Sequence, residues 1–355
     1  MKKAELGFSG IAYLFVGAIM GAGFASGREI WQFFGVFGEA GFIGLALVAL
    51  MFIAIGFMTS RVARALNTND LGRIVVPGEN RLLKGFVANF MALLLFLAIV
   101  TMSSAGGALF YQQFGLNRAI GGAAIVILVI ITVIGGFERV SGVFRFVMPV
   151  LMTIVFFTSV AVIAKSGGQL NTAGTFRPSP LAGNWPLAAI LFTSYNAFGI
   201  IPIVSTASLH VKSGKHADIG ACLGGLILGV LAITLLYAVM TDRDLSDRMD
   251  MPLLAFSGGL SPALNLIYIS ALFFAVYSSA TSNFYGFTGR ILREPHRKLK
   301  IIVSACIGFA IGLVGFTRIV AYMFPVEGFV GIGIILMMTI NYIKITVKGK
   351  ADYGD

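Results

Sequence analysis

The chain has 355 residues, of which 57% are hydrophobic and 12% are charged, and its mean hydropathy is +0.91. Soluble domains contain about 45–50% apolar and about 25% charged residues, so the composition excludes an ordinary soluble domain and indicates an integral membrane protein. The net charge of +11 is best explained by contact with anionic lipid headgroups, and no nucleic-acid partner is predicted.

Ten apolar segments follow one another along the chain, and about 20 apolar residues suffice to cross a bilayer. The segment 242–261 is different because it carries four Asp residues and only a short apolar piece, which predicts an extracellular loop with a small helix. The predicted spans are 7–36, 40–65, 84–113, 118–137, 142–165, 185–209, 217–241, 262–289, 300–316 and 319–344.

The basic residues are distributed unevenly between the two sides of the predicted membrane. When the N-terminus is placed inside, nineteen of the 26 Lys and Arg residues fall on the cytoplasmic side. Cytoplasmic loops carry an excess of Lys and Arg. The sequence therefore predicts a multi-pass protein of the plasma membrane with both termini in the cytoplasm.

Ten spans divide into two sets of five within one domain covering residues 1–355. Because five is an odd number, the second set (about 185–344) enters the membrane from the opposite face to the first set (about 7–165), which is the inverted repeat of many secondary transporters. The predicted fold class is all-α, with ten transmembrane helices in a LeuT-like 5+5 inverted repeat and with helices 1 and 6 discontinuous.

The first span is interrupted by the sequence Gly21-Ala22-Gly23-Phe24-Ala25-Ser26-Gly27-Arg28-Glu29. Hydrocarbon offers no water to unpaired backbone groups, so an unwound stretch in a membrane must line a cavity. Glycines at this spacing also permit close packing of helices. Charges inside a span are costly and usually functional, so Arg28 and Glu29 favour a binding site.

The sixth span has a similar interruption at mid-depth, from Phe192 to Pro202, with Ser194, Tyr195 and Asn196 at its centre. Asn offers hydrogen-bond donors and acceptors, and aromatic faces can enclose an apolar group. The alternative for these polar side chains is hydrogen bonding between helices. Interruptions in corresponding spans of two halves indicate a binding site.

The eighth span carries a run of hydroxyl groups from Tyr277 to Asn283. Ser and Thr hydroxyls can join backbone carbonyls of the first span as ligands of an alkali cation, although they also commonly bond to the carbonyl four residues earlier.

Glu327 lies in the tenth span at about the depth of Arg28 in the first span. Opposite charges are tolerated in a membrane when they are paired, so the two residues are a candidate gate at the outer vestibule. Alternatively, Arg28 pairs with its neighbour Glu29 and Glu327 is a proton-titrating site.

These segments resemble those of LeuT-fold transporters of the amino acid–polyamine–organocation (APC) superfamily, and more closely those of small bacterial YkvI-type amino acid permeases. The sequence Gly21 to Glu29 looks like the first-span signature of that family. The sequence Phe192 to Gly199 is similar to the broken sixth span of the sodium-coupled branch, and Phe273 to Ser279 resembles its eighth span.

The resemblance implies a sodium site and an outer gate. Phe24 occupies the place of a polar ion-binding side chain, so a second sodium ion is not expected, and Arg28 is displaced by about one position from the gate of that branch. The predicted sodium ligands are Gly17, Met20, Ala275, Ser278 and Ser279. The predicted substrate-binding residues are Gly21, Ala22, Gly23, Phe24, Ser104, Ser194, Tyr195, Asn196, Phe198 and Gly199.

The leading functional hypothesis is a sodium-coupled symporter of a small amino acid or related zwitterion that works by alternating access. The resemblance favours sodium over proton coupling because residues 143–164 contain no Lys. The alternatives are a proton-coupled permease and a transporter-shaped membrane subunit that senses a ligand. No enzyme is predicted, since no catalytic arrangement lies at a common depth, and no cofactor is expected beyond the coupling ion.

Overall fold

The computed structural model of the protein describes residues 7–135, 137–171, 173–211, 213–292 and 295–348. Of residues 137–148, 290 and 347–348 it describes the backbone only. Within these residues the regular structure is helical, as predicted. The helices are α1 (Phe8–Ile19), α2 (Ala22–Ala25), α3 (Arg28–Phe33), α4 (Ala40–Ala65), α5 (Leu71–Val75), α6 (Arg81–Phe114), α7 (Arg118–Ile134), α8 (Phe137–Lys165), α9 (Trp185–Ser208), α10 (Gly214–Met240), α11 (Arg243–Arg248), α12 (Pro252–Leu260), α13 (Pro262–Ile291), α14 (Arg297–Gly312), α15 (Phe316–Arg318) and α16 (Phe324–Lys348).

Six stretches are long and apolar enough to cross a membrane, namely α4, α6, α9, α10, most of α13, and Phe316–Thr346, in which a π-helical turn joins α15 to α16. This finding supports a multi-pass membrane protein. The other predicted spans correspond to the interrupted segment α1 to α3, to the shorter helices α7 and α14, and to α8, in which the apolar part with described side chains is Pro149–Lys165. The count of ten spans and the cytoplasmic location of both termini therefore remain predictions.

Side chains at the helix starts define where several of these helices begin. Asn80, Asn184 and Ser261 each accept a hydrogen bond from the backbone N–H three residues further on, at 3.0–3.1 Å. Such caps satisfy backbone donors that have no partner inside the helix. The caps fix the start of α6, α9 and α13, three long helices that surround a central chamber.

Glycines on α10 allow it to approach α1 and α4 closely. A Cβ atom at Gly224 would lie 2.7 Å from the Cβ of Phe15 on α1, and one at Gly225 would lie 2.8 Å from the backbone nitrogen of Ile53 on α4. In hydrocarbon, helices associate through such close van der Waals packing because there is little hydrophobic driving force between them.

Helices from the first half of the chain pack against helices from the second half. α4 packs along α10 and α9, α6 packs along α13, and α1 lies between α9 and α10. Each pairing of α1 with α9, α4 with α10 and α6 with α13 joins a predicted span to its counterpart in the other half, as two halves related by a pseudo-two-fold axis would require. The inverted repeat itself stays a prediction.

The first predicted span is divided at two places. Met20 has φ −69° and ψ 67°, and the N–H of Gly21 donates to the carbonyl of Ile19 at 2.6 Å, which is the geometry of an inverse γ-turn. Gly27 has φ +80°, a left-handed conformation that ends the short helix α2 and that glycine adopts readily. The segment thus consists of α1, α2 and α3 with a change of direction at residues 20–21 and at 26–27.

The predicted interruption of the sixth span is wrong in this structure, because α9 runs continuously from Trp185 to Ser208. The Nδ2 of Asn196 donates to the carbonyl of Phe192 at 2.9 Å, so this polar side chain bonds to its own helix. Pro202 lies inside α9 and lacks an N–H, which leaves the Phe198 carbonyl without a helical donor but does not unwind the helix.

Gly199 is predicted from the sequence to belong to an interruption of the sixth span, but in the structure it allows close packing of two helices. A Cβ atom at this position would lie 2.9 Å from the backbone carbonyl oxygen of Ala18. The glycine therefore permits α9 to approach the end of α1, and it does not mark a bend. The predicted loop at 242–261 contains two short helices, α11 and α12, where one is expected from the sequence.

Candidate functional site

A chamber with a volume of about 720 Å³, part of it open to the surroundings, lies at the point where the first segment changes direction. Its wall is formed by the end of α1, by α3, and by the middle of α6, α9, α13 and the start of α16. The lining residues are Ala18, Ile19, Gly21, Glu29, Leu94, Leu95, Leu97, Ala98, Thr101, Met102, Tyr195, Asn196, Phe198, Gly199, Ser279, Asn283, Phe324 and Glu327.

A second cavity of about 650 Å³ adjoins the chamber and shares part of its wall, including Phe198 and Ser279. It continues toward earlier residues of α1, such as Gly17, and later residues of α9, such as Pro202. Both directions lead toward the side of the fold where α1 begins. The chamber is therefore extended toward the N-terminal side of the protein.

Glu29 holds the most enclosed carboxylate in the chamber wall, and it is only 4% exposed. The hydroxyl of Tyr195 donates a hydrogen bond to its Oε2, and the backbone amide of Phe24 faces the same carboxylate. A Cβ atom at Gly23 would collide with Glu29 Oε1, so the glycine makes room for the carboxylate against α2. Glu29 is thereby fixed between α2 and α9.

Glu327 provides a second carboxylate in the same wall, from the first turn of α16. Its Oε1 atom is buried and has no hydrogen-bond partner among the described residues. Glu327 and Glu29 both line this chamber. The two acidic side chains therefore face one enclosed space from opposite ends of the sequence.

Arg28 does not pair with Glu327 or with Glu29 in the described structure, so neither predicted arrangement is present. Its Nη1 donates to three backbone carbonyls, those of Ser246 at 3.3 Å, Asp247 at 3.1 Å and Met249 at 3.2 Å. Its Nη2 donates to Gln32 at 3.0 Å. The last turn of α11 offers carbonyls without helical donors. The guanidinium group donates to them and thereby holds the loop against α3.

Further contacts hold the 242–261 loop and α13 against the first segment. The indole nitrogen of Trp31 donates to Asp247 Oδ1 at 3.1 Å, and the N–H of Leu253 donates to the carbonyl of Ser26 at 2.9 Å. Tyr268 donates its hydroxyl hydrogen to the carbonyl of Ala25. These bonds satisfy backbone groups at the second change of direction, and they hold the loop and α13 against the first segment.

The structure brings five predicted substrate-binding residues to the chamber. Two of them, Tyr195 and Phe198, supply aromatic surface, and Tyr195 stacks on Phe324 with ring centroids 4.8 Å apart. The five residues are Gly21, Tyr195, Asn196, Phe198 and Gly199.

The other five predicted substrate-binding residues lie elsewhere. Ala22 and Phe24 are fully buried within the short helix, and Gly23 packs against Glu29. Ser104 lines a small separate cavity together with Arg118. The backbone of Ser194 packs against Gly331 of α16. None of these five residues is among those that line the chamber.

Two of the five predicted sodium ligands line a cavity, and the other three lie close to them in the sequence. Gly17 and Ser279 line the second cavity together. Ser278 is fully buried, and its hydroxyl donates to the carbonyl of Ala275 at 3.1 Å. Met20 lies at the turn itself. The N–H of Gly21 bonds to Ile19, so the carbonyl of Gly17 does not receive its helical donor.

Several residues of the wall are not marked by the sequence. The sequence indicates Glu29 as a charge inside the first span and as a possible partner for Arg28, but it does not indicate that the side chain lines the chamber. Thr101 and Met102 of α6 and Phe324 of α16 also line it, and nothing in the local sequence marks them as different from other residues of apolar helices. Their position follows from helix packing. Among the described residues, no three His, Cys, Asp or Glu side chains form a group able to hold a metal.

No protein-family model matches the chain. Two curated relatives from Bacillus subtilis (strain 168) match it along most of their length. The uncharacterized membrane protein YkvI is 27% identical over 343 residues, which cover 94% of this chain and 96% of the relative. The uncharacterized protein YyaD is 25% identical over 330 residues, or 92% of this chain and 94% of the relative.

Solved structures of transporters share the fold. The inward-facing conformation of Mhp1 has a TM-score of 0.66 at 14% identity, with 96% of this chain and 77% of that chain covered. MhsT in complex with L-phenylalanine has a TM-score of 0.63 at 19% identity, with 97% and 92% covered. Both of these structural neighbours are transporters and not enzymes. The comparisons thus confirm the resemblance drawn from the sequence: the chain is similar to the YkvI-type membrane proteins and has the fold of LeuT-type transporters.

Proposed function

We propose that the protein is a secondary active transporter that carries a small amino acid or related zwitterion together with one sodium ion. The observation that carries the proposal is a chamber at the change of direction of the first segment, extended toward the side of the fold where α1 begins. Alternating access requires a binding site that opens to one side at a time. With both termini in the cytoplasm, as we predict from the sequence, an opening on this side corresponds to an inward-facing state.

The chamber has the composition of a site for a small organic solute. Apolar residues of α6 and the aromatic rings of Tyr195 and Phe198 contribute apolar surface to the wall, while Asn196, Ser279 and the two glutamates of the wall provide polar groups. Ligand sites are commonly apolar cavities with a few placed polar groups. The neighbour MhsT is described with bound L-phenylalanine, and Mhp1 is described as a nucleobase-cation-symport transporter. These descriptions support a small organic solute for this chamber as well.

The junction of the two cavities supplies oxygen atoms for sodium. The carbonyl of Gly17 lacks its helical donor because the Gly21 N–H turns to Ile19. Unwound carbonyls and half-helix ends coordinate Na⁺ in transporters. The hydroxyls of Ser278 and Ser279 and the carbonyls of Met20 and Ala275 complete the proposed ligand set.

Proton coupling is a second candidate because the chamber contains the two carboxylates of Glu29 and Glu327. Two carboxylates in a shared site disfavour simultaneous ionisation, so one of them could hold a transported proton. Acidic side chains form proton relays in transporters. A sensing subunit would bind the same solute without accumulating it.

Uptake of a labelled amino-acid panel into proteoliposomes tests these proposals. We expect accumulation driven by an inward sodium gradient, and a decreased sodium dependence in Ser279→Ala. The matched control is Ser270→Ala, because Ser270 lies on the same helix and bonds only to its own helix at Leu266, at 2.9 Å. Accumulation driven by a proton gradient alone would show that the coupling ion is a proton and not sodium. Binding without accumulation under either gradient would indicate a sensor.

A further inference from the structure

The chamber contains negative charge for which the described part of the protein provides no positive partner. We propose that the transported solute carries an ammonium group in addition to any groups bound by the backbone, and that this group lies between Glu29 and Glu327. The inference rests on the proposed function and deepens it, since it assigns the substrate to the class of amines and amino acids with a positively charged side chain.

The first observation is the enclosure of the two carboxylates. Glu29 is 4% exposed and is held by Tyr195. Glu327 Oε1 is inaccessible and has no hydrogen-bond partner among the described residues. A buried polar atom without a partner is costly, and a buried charge costs more. The buried Oε1 atom of Glu327 therefore requires a hydrogen-bond donor or a cation beside it.

The second observation concerns the cations of the protein itself. No Lys, Arg or His is among the described residues that line the chamber. Arg28 is adjacent to Glu29 in the sequence, but its guanidinium group bonds to the carbonyls of Ser246, Asp247 and Met249. The three ion pairs of the described residues involve Asp218 and Asp250 only. The neutralising charge must therefore come from the solute, from a coupling cation or from a proton.

The surrounding groups fit an organic ammonium group better than a bare metal ion. The ring of Tyr195 stacks on that of Phe324, with centroids 4.8 Å apart, and both rings line the chamber beside the carboxylates. Ammonium groups bind favourably to aromatic faces and donate to several acceptors at once. Two carboxylates without a third His, Cys, Asp or Glu ligand in the described residues do not form a transition-metal site.

The carboxylates are also separate from the proposed sodium ligands. Glu29, Tyr195 and Glu327 line the chamber but not the adjoining cavity that contains Gly17 and Ser282. A coupling ion bound at the Gly17 carbonyl would consequently leave the pair of carboxylates available for the solute.

Binding to the purified full-length protein tests the assignment. The probes are L-lysine, its neutral analogue L-6-hydroxynorleucine, and cadaverine, which keeps two amino groups but lacks the carboxylate. Binding is measured by thermal stabilisation and calorimetry in potassium chloride, with and without sodium. The variants are Glu327→Gln, which keeps the shape of the side chain, and Glu39→Gln as a control at an exposed glutamate.

We expect at least one amine probe to bind about tenfold more tightly than hydroxynorleucine, and we expect Glu327→Gln but not Glu39→Gln to abolish this preference. Equal binding of the neutral analogue, no binding of either amine, or an unchanged preference in Glu327→Gln would overturn the assignment. So would stabilisation by sodium alone that disappears in Glu327→Gln. If that variant does not yield folded protein, Glu29→Gln is measured under the same criteria.

Proteoliposome uptake separates this inference from the proposed function. Accumulation of neutral amino acids with no preference for amines would retain transport and overturn the ammonium site. A preference for amines in binding, with no accumulation under a sodium or proton gradient, would retain the ammonium site and overturn transport.

Discussion

The hydroxyl group of Tyr195 donates a hydrogen bond to Glu29 Oε2 and thereby joins α9 to α3 across the chamber. The two residues are 166 positions apart in the sequence, and both side chains are at most 9% exposed. A hydrogen bond to an ionised group contributes about 1.5–3 kcal/mol. This bond orients the carboxylate and links α3 to α9 at the chamber wall.

Replacement of Tyr195 by Phe should decrease solute affinity by about tenfold or more, because Glu29 would lose its hydroxyl donor and its fixed orientation. Affinity is measured by calorimetry on the purified protein. The matched control is Tyr237→Phe, since that hydroxyl donates to the Gly168 carbonyl at 2.6 Å in an exposed position. An affinity equal to that of the parent protein would show that the bond has no part in binding.

Replacement of Arg28 by Met should loosen the 242–261 loop where it packs against α3. The guanidinium group holds three loop carbonyls, and the loss of these charged hydrogen bonds should increase local opening by about tenfold or more. Hydrogen–deuterium exchange of the backbone amides of residues 243–253 measures this opening.

The control for Arg28 is Arg61→Met, because Arg61 is half-exposed and pairs with Asp218 away from the loop. The Leu253 amide, which donates to the Ser26 carbonyl, is the most direct reporter. Exchange in this loop that stays at the parental rate in Arg28→Met would contradict the proposed role of the guanidinium group.

Replacement of Gly199 by Ala should destabilise the protein and weaken transport. The new methyl group would lie 2.9 Å from the Ala18 carbonyl oxygen, and the relief of such overpacking typically costs about 1–3 kcal/mol. Gly289→Ala is the control, because no atom lies within 4 Å of the added methyl group and Ala favours the helix. Melting temperatures in detergent should fall for Gly199→Ala only, and equal values would refute the close contact.

Replacement of Asn341 by Ala should destabilise the connection between α4 and α6. The Nδ2 of Asn341 donates to the carbonyls of Arg73 at 3.0 Å and Ile74 at 2.8 Å, which are in α5. The removal of both bonds leaves buried acceptors unsatisfied, at a cost of about 1–3 kcal/mol.

The control for Asn341 is Thr339→Ala on the same helix, because the Thr339 hydroxyl bonds to the carbonyl of Ile335 within α16. The comparison uses melting temperatures in detergent. A loss of stability in Thr339→Ala as large as that in Asn341→Ala would contradict a specific role for the contact with α5.

Much of the helical framework could be predicted from the sequence because apolar length determines where a chain can cross a bilayer. The change of direction near Gly21 was also predictable, since glycines and charges are unfavourable in a lipid-facing helix. The sixth span was not, because Asn196 and Pro202 are equally compatible with a bent and a continuous helix. The continuous helix of α9 and the close approach of Gly199 to Ala18 become evident only in the folded structure.

The candidate site was predictable only in part. Tyr195, Asn196 and Phe198 are identifiable from their polar or aromatic character within an apolar helix. The partners of Arg28 were not predictable, because they are backbone carbonyls more than 200 residues away and any sequence offers such groups. Glu29 and Glu327 reach the same chamber through helix packing, which residue type alone does not specify.

The unequal construction of the first segment and α9 has a mechanical consequence. α9 keeps its peptide hydrogen bonds along the chamber wall, apart from the one lost at Pro202, and therefore behaves as a stiff rod. The first segment has two points of low bending stiffness, at Met20–Gly21 and Ser26–Gly27. Strain imposed from either face of the membrane would concentrate at these two points. The first segment would therefore bend there, while α9 would move as one rigid helix.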